Sequence, residues 1–410
     1  MSSLNPRSIM ISAAITLLLL LGTASKAAAL DASIPYLGNM LLQTGTNVEI
    51  VSTLVKIDVT GDRALVTCDY QLNNQGTNQT VTAGYPVLYQ GNQPLIYGFA
   101  VSKNSQPLSV KVRRQPPGSG YQLDNETTVY NVFSFPLAAG ESCTVRNSYF
   151  VSLPTDTTLG RLIVYNNHQS GGWKDTGLKK FDIKITNFKP YFNVMLYPEL
   201  GALPQTMDYK GTFSYLIDPR VQRQDIYFYY QLRGPEAALK RLAVSKFGAS
   251  LLPSINSGNY QAAYGNLQLF AANLTEEGVL SPVDVTMLKL YLAYQNQDYE
   301  MAADILNQLT VKDGTYIYYH ILNSLQLNQQ TAAGQSLRDI GQFKESDLTG
   351  VSVELLKNWA EKTISQYLAR PAAPVPVTTA RPKQHTAVLL LSMGLVVISS
   401  AALTAWMRRK

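Results

Sequence analysis

Hydrophobic and polar residues alternate along the first half of the chain. The clearest runs are Val55, Ile57 and Val59; Leu108, Val110 and Val112; and Phe181, Ile183 and Ile185. A period of two is typical of strands with one buried and one solvated face. Turn signals separate the runs at intervals of about ten residues, which favours an antiparallel β-sandwich over 40–233, as one domain or two.

One run changes its parity. Val48 and Ile50 lie on the opposite face from Val51 and Val55 if the strand is regular. An extra residue in a strand exchanges its two faces, so the pattern predicts a bulge or a break near Ser52.

The period becomes 3.6 after Gly234-Pro235. Three segments share a pattern at i, i+3, i+4, i+7 and i+10, beginning at Tyr260, Tyr299 and Gln330, with a small residue at i+3 and apolar ones at i+7 and i+10. This spacing lines one face of a helix. Further helical stretches are expected at 236–255, 284–295 and 315–328, with a last helix at 350–369. The residues predicted to form the packed face of the repeats are Tyr260, Ala263, Tyr264, Tyr299, Ala302 and Ala303.

The helical segments resemble tetratricopeptide repeats. Gly258-Asn259-Tyr260 matches the turn before the second helix of that family, and Gln297-Asp298-Tyr299 departs from it at the glycine. The resemblance implies a stack of helical hairpins over 235–369, with peptide binding in a concave groove as a weaker implication. A helical bundle whose repeats only pack against one another is the other interpretation.

The two ends of the chain predict export and anchoring. Residues 1–29 have the layout of a signal peptide that ends at Ala29, although an uncleaved N-terminal anchor is the alternative. Residues 387–407 are uncharged and long enough for a transmembrane helix, and the basic residues 408–410 predict a cytoplasmic tail. A Pro-rich stalk, 370–386, would hold the preceding body away from the bilayer. The expected localisation is the cell membrane, with the N-terminal body outside.

Composition and charge limit the kinds of partner that the chain is expected to bind. The formal net charge is +6, and most of it comes from the two ends, so no basic face for nucleic acid is expected. The two cysteines, Cys68 and Cys143, are candidates for a disulfide in an oxidising compartment, or for two buried free thiols. Trp173 follows two glycines and is the best candidate for an exposed contact with a sugar or a protein, whereas most other aromatic residues are expected in the core.

Catalytic and metal-binding signatures are missing from the sequence. The three histidines are far apart, and no nucleophile elbow, P-loop or dinucleotide motif occurs. We therefore predict no cofactor, no metal site, no catalytic residue and no enzyme activity.

The predicted fold class is α+β, with an N-terminal antiparallel β-sandwich, a helical-hairpin domain and a C-terminal transmembrane helix. The leading functional prediction is a non-catalytic protein-binding or scaffolding role in the envelope. The alternative is a module that binds carbohydrate or another envelope polymer through exposed aromatic residues, and the third interpretation is an undetected hydrolase. Membrane, an envelope protein and a glycan are the expected partners.

Overall fold

The computed structural model describes residues 36–37, 40–44, 47–87, 89–90, 93–94, 96–115, 128–153, 155–165, 173–218, 225–342 and 349–369. The predicted signal peptide, stalk, transmembrane helix and cytoplasmic tail lie outside these residues. The chain divides into two units, Met1–Ile364 and Ser365–Lys410, and the contacts described below belong to the first.

The first half of the described chain consists of strands. Their bounds are β1 Tyr36–Leu37, β2 Leu41–Thr44, β3 Val48–Thr60, β4 Arg63–Asn74, β5 Gln79–Val87, β6 Tyr89–Gln90, β7 Gln93–Pro94, β8 Ile96–Lys103, β9 Gln106–Pro107, β10 Lys111–Gln115, β11 Thr128–Leu137, β12 Ser142–Ser152, β13 Gly160–Tyr165, β14 Lys174–Ile185, β15 Asn193–Leu196, β16 Thr206–Asp208, β17 Thr212–Ile217 and β18 Ile226–Gln231.

The largest sheet has eight strands in the order β16-β17-β14-β3-β4-β12-β8-β9. Two four-stranded sheets, β10-β11-β5-β2 and β1-β13-β18-β15, and the pair β6-β7 complete the described strands. Alternation along β3 and β14 places Val55, Ile57, Phe181 and Ile183 in one buried core, as predicted. Val112, which the same argument placed on a buried face, is 68% exposed; it lies in β10, an edge strand of a four-stranded sheet.

The predicted fold class is wrong, because the strands do not form a purely antiparallel β-sandwich. β14 runs parallel to β3 in the middle of the large sheet, and β1 runs parallel to β13, so the sheets are mixed. Alternation reports which face of a strand is buried but carries no information on the direction of its neighbour. That direction depends on how the chain returns to the sheet, which local pattern does not encode.

The predicted change of parity in β3 is confirmed. The register between β3 and β4 shifts between Ile50 and Ser52, and Val51 is exposed. The extra residue puts Val48 and Ile50 in the same core as Val55.

Helices form the second half of the described chain. They are α1 Gly234–Ala243, α2 Gly248–Asn256, α3 Tyr260–Glu276, α4 Pro282–Gln295, α5 Tyr299–Gln308, α6 Gly314–Gln326, α7 Gln330–Asp339 and α8 Gly350–Leu368, with a 3₁₀ turn at Ile340–Gln342. The predicted starts at Tyr260, Tyr299 and Gln330 agree with these bounds. Residues 236–255, predicted as one stretch, form two helices.

Local caps explain two of these starts. The side chain of Asn259 accepts a hydrogen bond from the backbone N–H of Ala262, and Asp298 does the same for Met301. Such caps satisfy amide groups that have no partner within the helix. The start of α8 is bound to the sheet instead, because the hydroxyl of Ser352 accepts a hydrogen bond from the backbone N–H of Val194 at 2.8 Å.

Within the part of the chain that the structure describes, no helix is both long and apolar enough to cross a membrane. The structure thus gives no support to the single-pass membrane protein predicted from the sequence, and residues 387–407 lie outside the described part.

Candidate functional site

Glu236 lies in the first turn of α1, where the strands give way to the helices. Pro235 precedes it near the start of the helix, a position that suits proline because its missing N–H would have no partner there. Gly234 has a φ of +58°, and a Cβ at this position would lie 2.5 Å from Cγ2 of Thr315 in α6. The glycine therefore allows α1 to begin in close contact with α6.

The carboxyl group of Glu236 has a buried partner. The hydroxyl of Tyr191, a residue with no exposed surface, donates a hydrogen bond to Oε2 at 2.6 Å. Nζ of Lys189 lies 4.0 Å from Oε1, and the Glu236 side chain is 22% exposed. The carboxyl group is thus held on one oxygen while part of the side chain remains open to solvent.

Burial governs the protonation of this group. It raises the pKa of Glu236 above its usual value, and this effect exceeds the opposing effects of the Tyr191 hydrogen bond and Lys189. Burial also raises the pKa of Tyr191 and of Tyr319 well above the usual value of tyrosine. Both phenols therefore stay neutral and keep their protons at ordinary pH, while the carboxyl group can exchange its proton nearer to neutrality.

Aromatic rings support this arrangement. The ring of Tyr191 meets Tyr318 edge-on with centroids 4.8 Å apart, and Tyr318 stacks on Trp359 of α8 at 4.4 Å. Tyr319 lies 5.2 Å from Tyr318 in a second edge-to-face contact. Such contacts restrict ring rotation, so the Tyr191 hydroxyl is kept in position beside Glu236.

A second pair has the residue types of a nucleophile and its base. Oγ of Ser336 in α7 lies 2.8 Å from Nδ1 of His320 in α6. Burial and Lys312 lower the pKa of His320, so the imidazole is neutral at ordinary pH. Ser336 is only 3% exposed and lies inside a helix, which leaves a substrate no approach. The pair is best described as a hydrogen bond between packed helices.

Trp173 is not the exposed contact predicted from its neighbours. The side chain is 4% exposed, and its Nε1 donates a hydrogen bond to the backbone carbonyl of Met40 at 2.8 Å. The glycines before it suggested an exposed loop, but β14 begins at the next residue and carries the indole into the core.

Cys68 and Cys143 are buried free thiols, which agrees with the second of the two interpretations of this pair. They lie on adjacent antiparallel strands, where Cys68 is opposite Asn147 and Cys143 is opposite Leu72. This register separates the two cysteines by several residues along the strands, or about 13 Å at the rise of a strand. A disulfide needs Cα atoms within about 7 Å, so the register does not allow the bridge.

The predicted face of the helical repeats lies in or beside helical cores. Ala263 and Ala302 have no exposed surface, and Tyr260 and Tyr264 pack against the core formed by α1 to α4. Tyr299 meets Tyr294 edge-on at 5.6 Å, and Ala303 is partly buried. These contacts are those of packed helices.

Glu236 was not among the residues predicted from the sequence. Its local signal, an acidic residue directly after Gly-Pro at a helix start, occurs at many ordinary helix ends. The partners Tyr191, Tyr318 and Tyr319 come from distant segments, so only the fold brings them together.

A metal site is not formed by the described residues. Among them, no group of three or more His, Cys, Asp or Glu side chains could hold a metal ion.

Comparisons with known proteins show no family for this chain. No family model matches it, and no curated protein matches it either. Among solved structures, a protein described as nutrient-binding from Legionella pneumophila aligns with 79% of this chain and 98% of its own, at 13% identity and a TM-score of 0.40.

Two further solved structures are enzymes by name. The M1 zinc metallopeptidase from Deinococcus radiodurans aligns with 83% of this chain and 98% of its own, at 12% identity and a TM-score of 0.26. Leukotriene A4 hydrolase from Saccharomyces cerevisiae aligns with 49% of this chain and 31% of its own, at 10% identity and a TM-score of 0.27.

One of these structures is named a nutrient-binding protein and two are named as enzymes, so none of them supports the predicted non-catalytic protein-binding or scaffolding role in the envelope. At such TM-scores the similarity itself carries no argument about this chain's activity, which must come from its own residues.

Proposed function

We propose that this protein is a hydrolase in which Glu236 is the acid–base group. The observation that supports the proposal is a single carboxyl group that is largely buried, hydrogen-bonded at 2.6 Å to a buried phenol and still 22% exposed. Perturbed carboxyl groups of this kind are over-represented at catalytic sites.

The roles follow from the geometry. As a carboxylate, Glu236 would accept a proton from a water molecule whose oxygen forms a bond to the electrophilic carbon of the substrate. The resulting carboxylic acid would then give its proton to the leaving group as the old bond breaks, which returns Glu236 to its starting state. The Tyr191 hydroxyl keeps its proton throughout and orients the carboxyl group. The ammonium group of Lys189 favours negative charge that develops nearby.

The test uses the full-length chain and three substrate classes: nitrophenyl esters, aminoacyl nitroanilides and nitrophenyl glycosides, assayed from about pH 4 to pH 9. We expect hydrolysis of one class, with a pH dependence that reports the ionisation of Glu236. Glu236→Gln should lower kcat/KM by about 10²–10⁴-fold, the usual contribution of a positioned acid–base group. Tyr191→Phe should retain more activity and move the pH profile upward, because the carboxylate loses a donor.

Glu277→Gln is the matched control. Glu277 is the C-cap residue of α3, has a side chain that is 40% exposed and pairs with Lys246. This variant should hydrolyse the substrate at the wild-type rate. The proposal is wrong if the wild-type protein hydrolyses none of the three classes, or if Glu236→Gln is as active as Glu277→Gln.

A further inference from the structure

Lys240 lies one helical turn after Glu236 on α1. A glutamate followed by a lysine four residues later is the favoured order for an ion pair on a helix. The structure shows another pairing: Nζ of Lys240 donates to Oδ2 of Asp62, in the turn between β3 and β4, while Glu236 is bound by Tyr191. Asp62 thus takes the cation that the helix itself would offer to Glu236.

A buried arginine side chain, that of Arg161, holds Asp62 in its position. Arg161 of β13 is 5% exposed and donates from one nitrogen of its guanidinium to Oδ1 of Asp62. Its other terminal nitrogen donates to the hydroxyl of Tyr230 at 3.2 Å. Because Arg161 cannot turn away from the core without losing both contacts, it holds Asp62 in reach of Lys240.

We propose that Asp62 is a positioning residue for Glu236, and that it acts by holding Lys240 away from the Glu236 carboxyl group. The inference rests on the proposed function for its catalytic meaning. The competition of the Asp62 and Glu236 carboxylates for the ammonium group of Lys240 can be measured without any substrate.

The groups that face Glu236 include few charges, so a second cation nearby would change the pKa of its carboxyl group. From the segment after β14 come Tyr191 and Lys189, from α4 comes Tyr291, and from α6 come Tyr318 and Tyr319. The phenols are neutral at ordinary pH, so Lys189, at 4.0 Å, is the charged group in this set. A second cation supplied by a released Lys240 would stabilise the carboxylate and make Glu236 harder to protonate.

The experiment follows the titration of Glu236 directly. The full-length chain is labelled with ¹³C at glutamate carboxyl groups, and the Glu236 signal is assigned by its loss in Glu236→Gln. In Asp62→Asn the midpoint should move to lower pH by roughly 0.3 pH unit or more, the size that an exposed pair four residues apart gives. In Asp62→Asn combined with Lys240→Met the midpoint should return to the wild-type value.

Two variants make the result decisive. Asp69→Asn breaks another ion pair of the large sheet, with Arg146, and should leave the Glu236 midpoint unchanged. Asp62→Ser suits a turn and replaces Asp62→Asn if that variant does not fold. An unchanged midpoint without Asp62, or one that stays low when Lys240 is also removed, overturns the proposal. Since no substrate is used, this outcome is independent of whether hydrolysis is found.

Discussion

Gly177 of β14 lies against the backbone of Val51 in β3 so closely that a Cβ on Gly177 would be 1.8 Å from the Val51 carbonyl oxygen. The contact occurs where the parallel pairing of these strands shifts its register, between Asp175 and Leu178. The bulge at Val51 and the glycine opposite it therefore form one feature, which joins two neighbouring inner strands of the mixed sheet.

Replacement of this glycine should be costly. Gly177→Ala forces a methyl group into backbone atoms that cannot move aside, and we expect a loss of about 3 kcal/mol in the free energy of unfolding. The same change at Gly265 in α3 meets nothing within 4 Å and should stabilise by about 0.5–1 kcal/mol. Urea unfolding of the two variants measures both; similar midpoints would show that the close contact is absent.

Glu236→Gln should change stability in a pH-dependent way. The folded-state pKa of Glu236 lies above its unfolded value of about 4.5, since burial disfavours the charged form. The protonated carboxyl group therefore makes its full contribution to the free energy of unfolding below the unfolded-state pKa. This contribution is lost as the pH rises through the folded-state pKa. We expect the Tm of the glutamine variant to equal that of the wild type at about pH 4 and to exceed it at about pH 7.5. A lower Tm at the higher pH would contradict this account.

Reductant should leave the protein's stability unchanged. Burial raises the pKa of Cys68 to about 12 and also raises that of Cys143, so both thiols are unreactive in the folded state. Alkylation in denaturant without reductant should label both cysteines, and alkylation of the native protein should be slow. A fall in Tm on addition of dithiothreitol would instead show a bridge and contradict the register between β4 and β12.

Trp173 should contribute to stability and not to ligand binding. Trp173→Phe keeps most of the apolar volume but leaves the Met40 carbonyl without its indole donor, at a cost of about 1–3 kcal/mol. Thermal unfolding measures this loss. If the variant unfolds like the wild type but loses binding to a glycan array, the residue is an exposed contact after all.

The pattern of apolar residues along the chain predicted where several helices of the second half begin. Tyr260 and Tyr299 begin helices because Asn259 and Asp298 cap them, and both signals lie within a few residues of each other. The bulge at Val51 was also predicted, near Ser52, because a change of parity within one strand is a local property. The candidate site was not visible, since an acidic residue at a helix start gives no sign of its distant partners.

Local pattern was enough to separate the strand-rich half from the helical half and to predict the helix starts at Tyr260, Tyr299 and Gln330, because these features depend on neighbours along the chain. Packing between distant segments makes β14 run parallel to β3, buries Trp173 and keeps Cys68 apart from Cys143. It also lets Tyr191 bind Glu236 and Asp62 bind Lys240. These relationships join residues distant in the chain, and their geometry depends on how the elements pack.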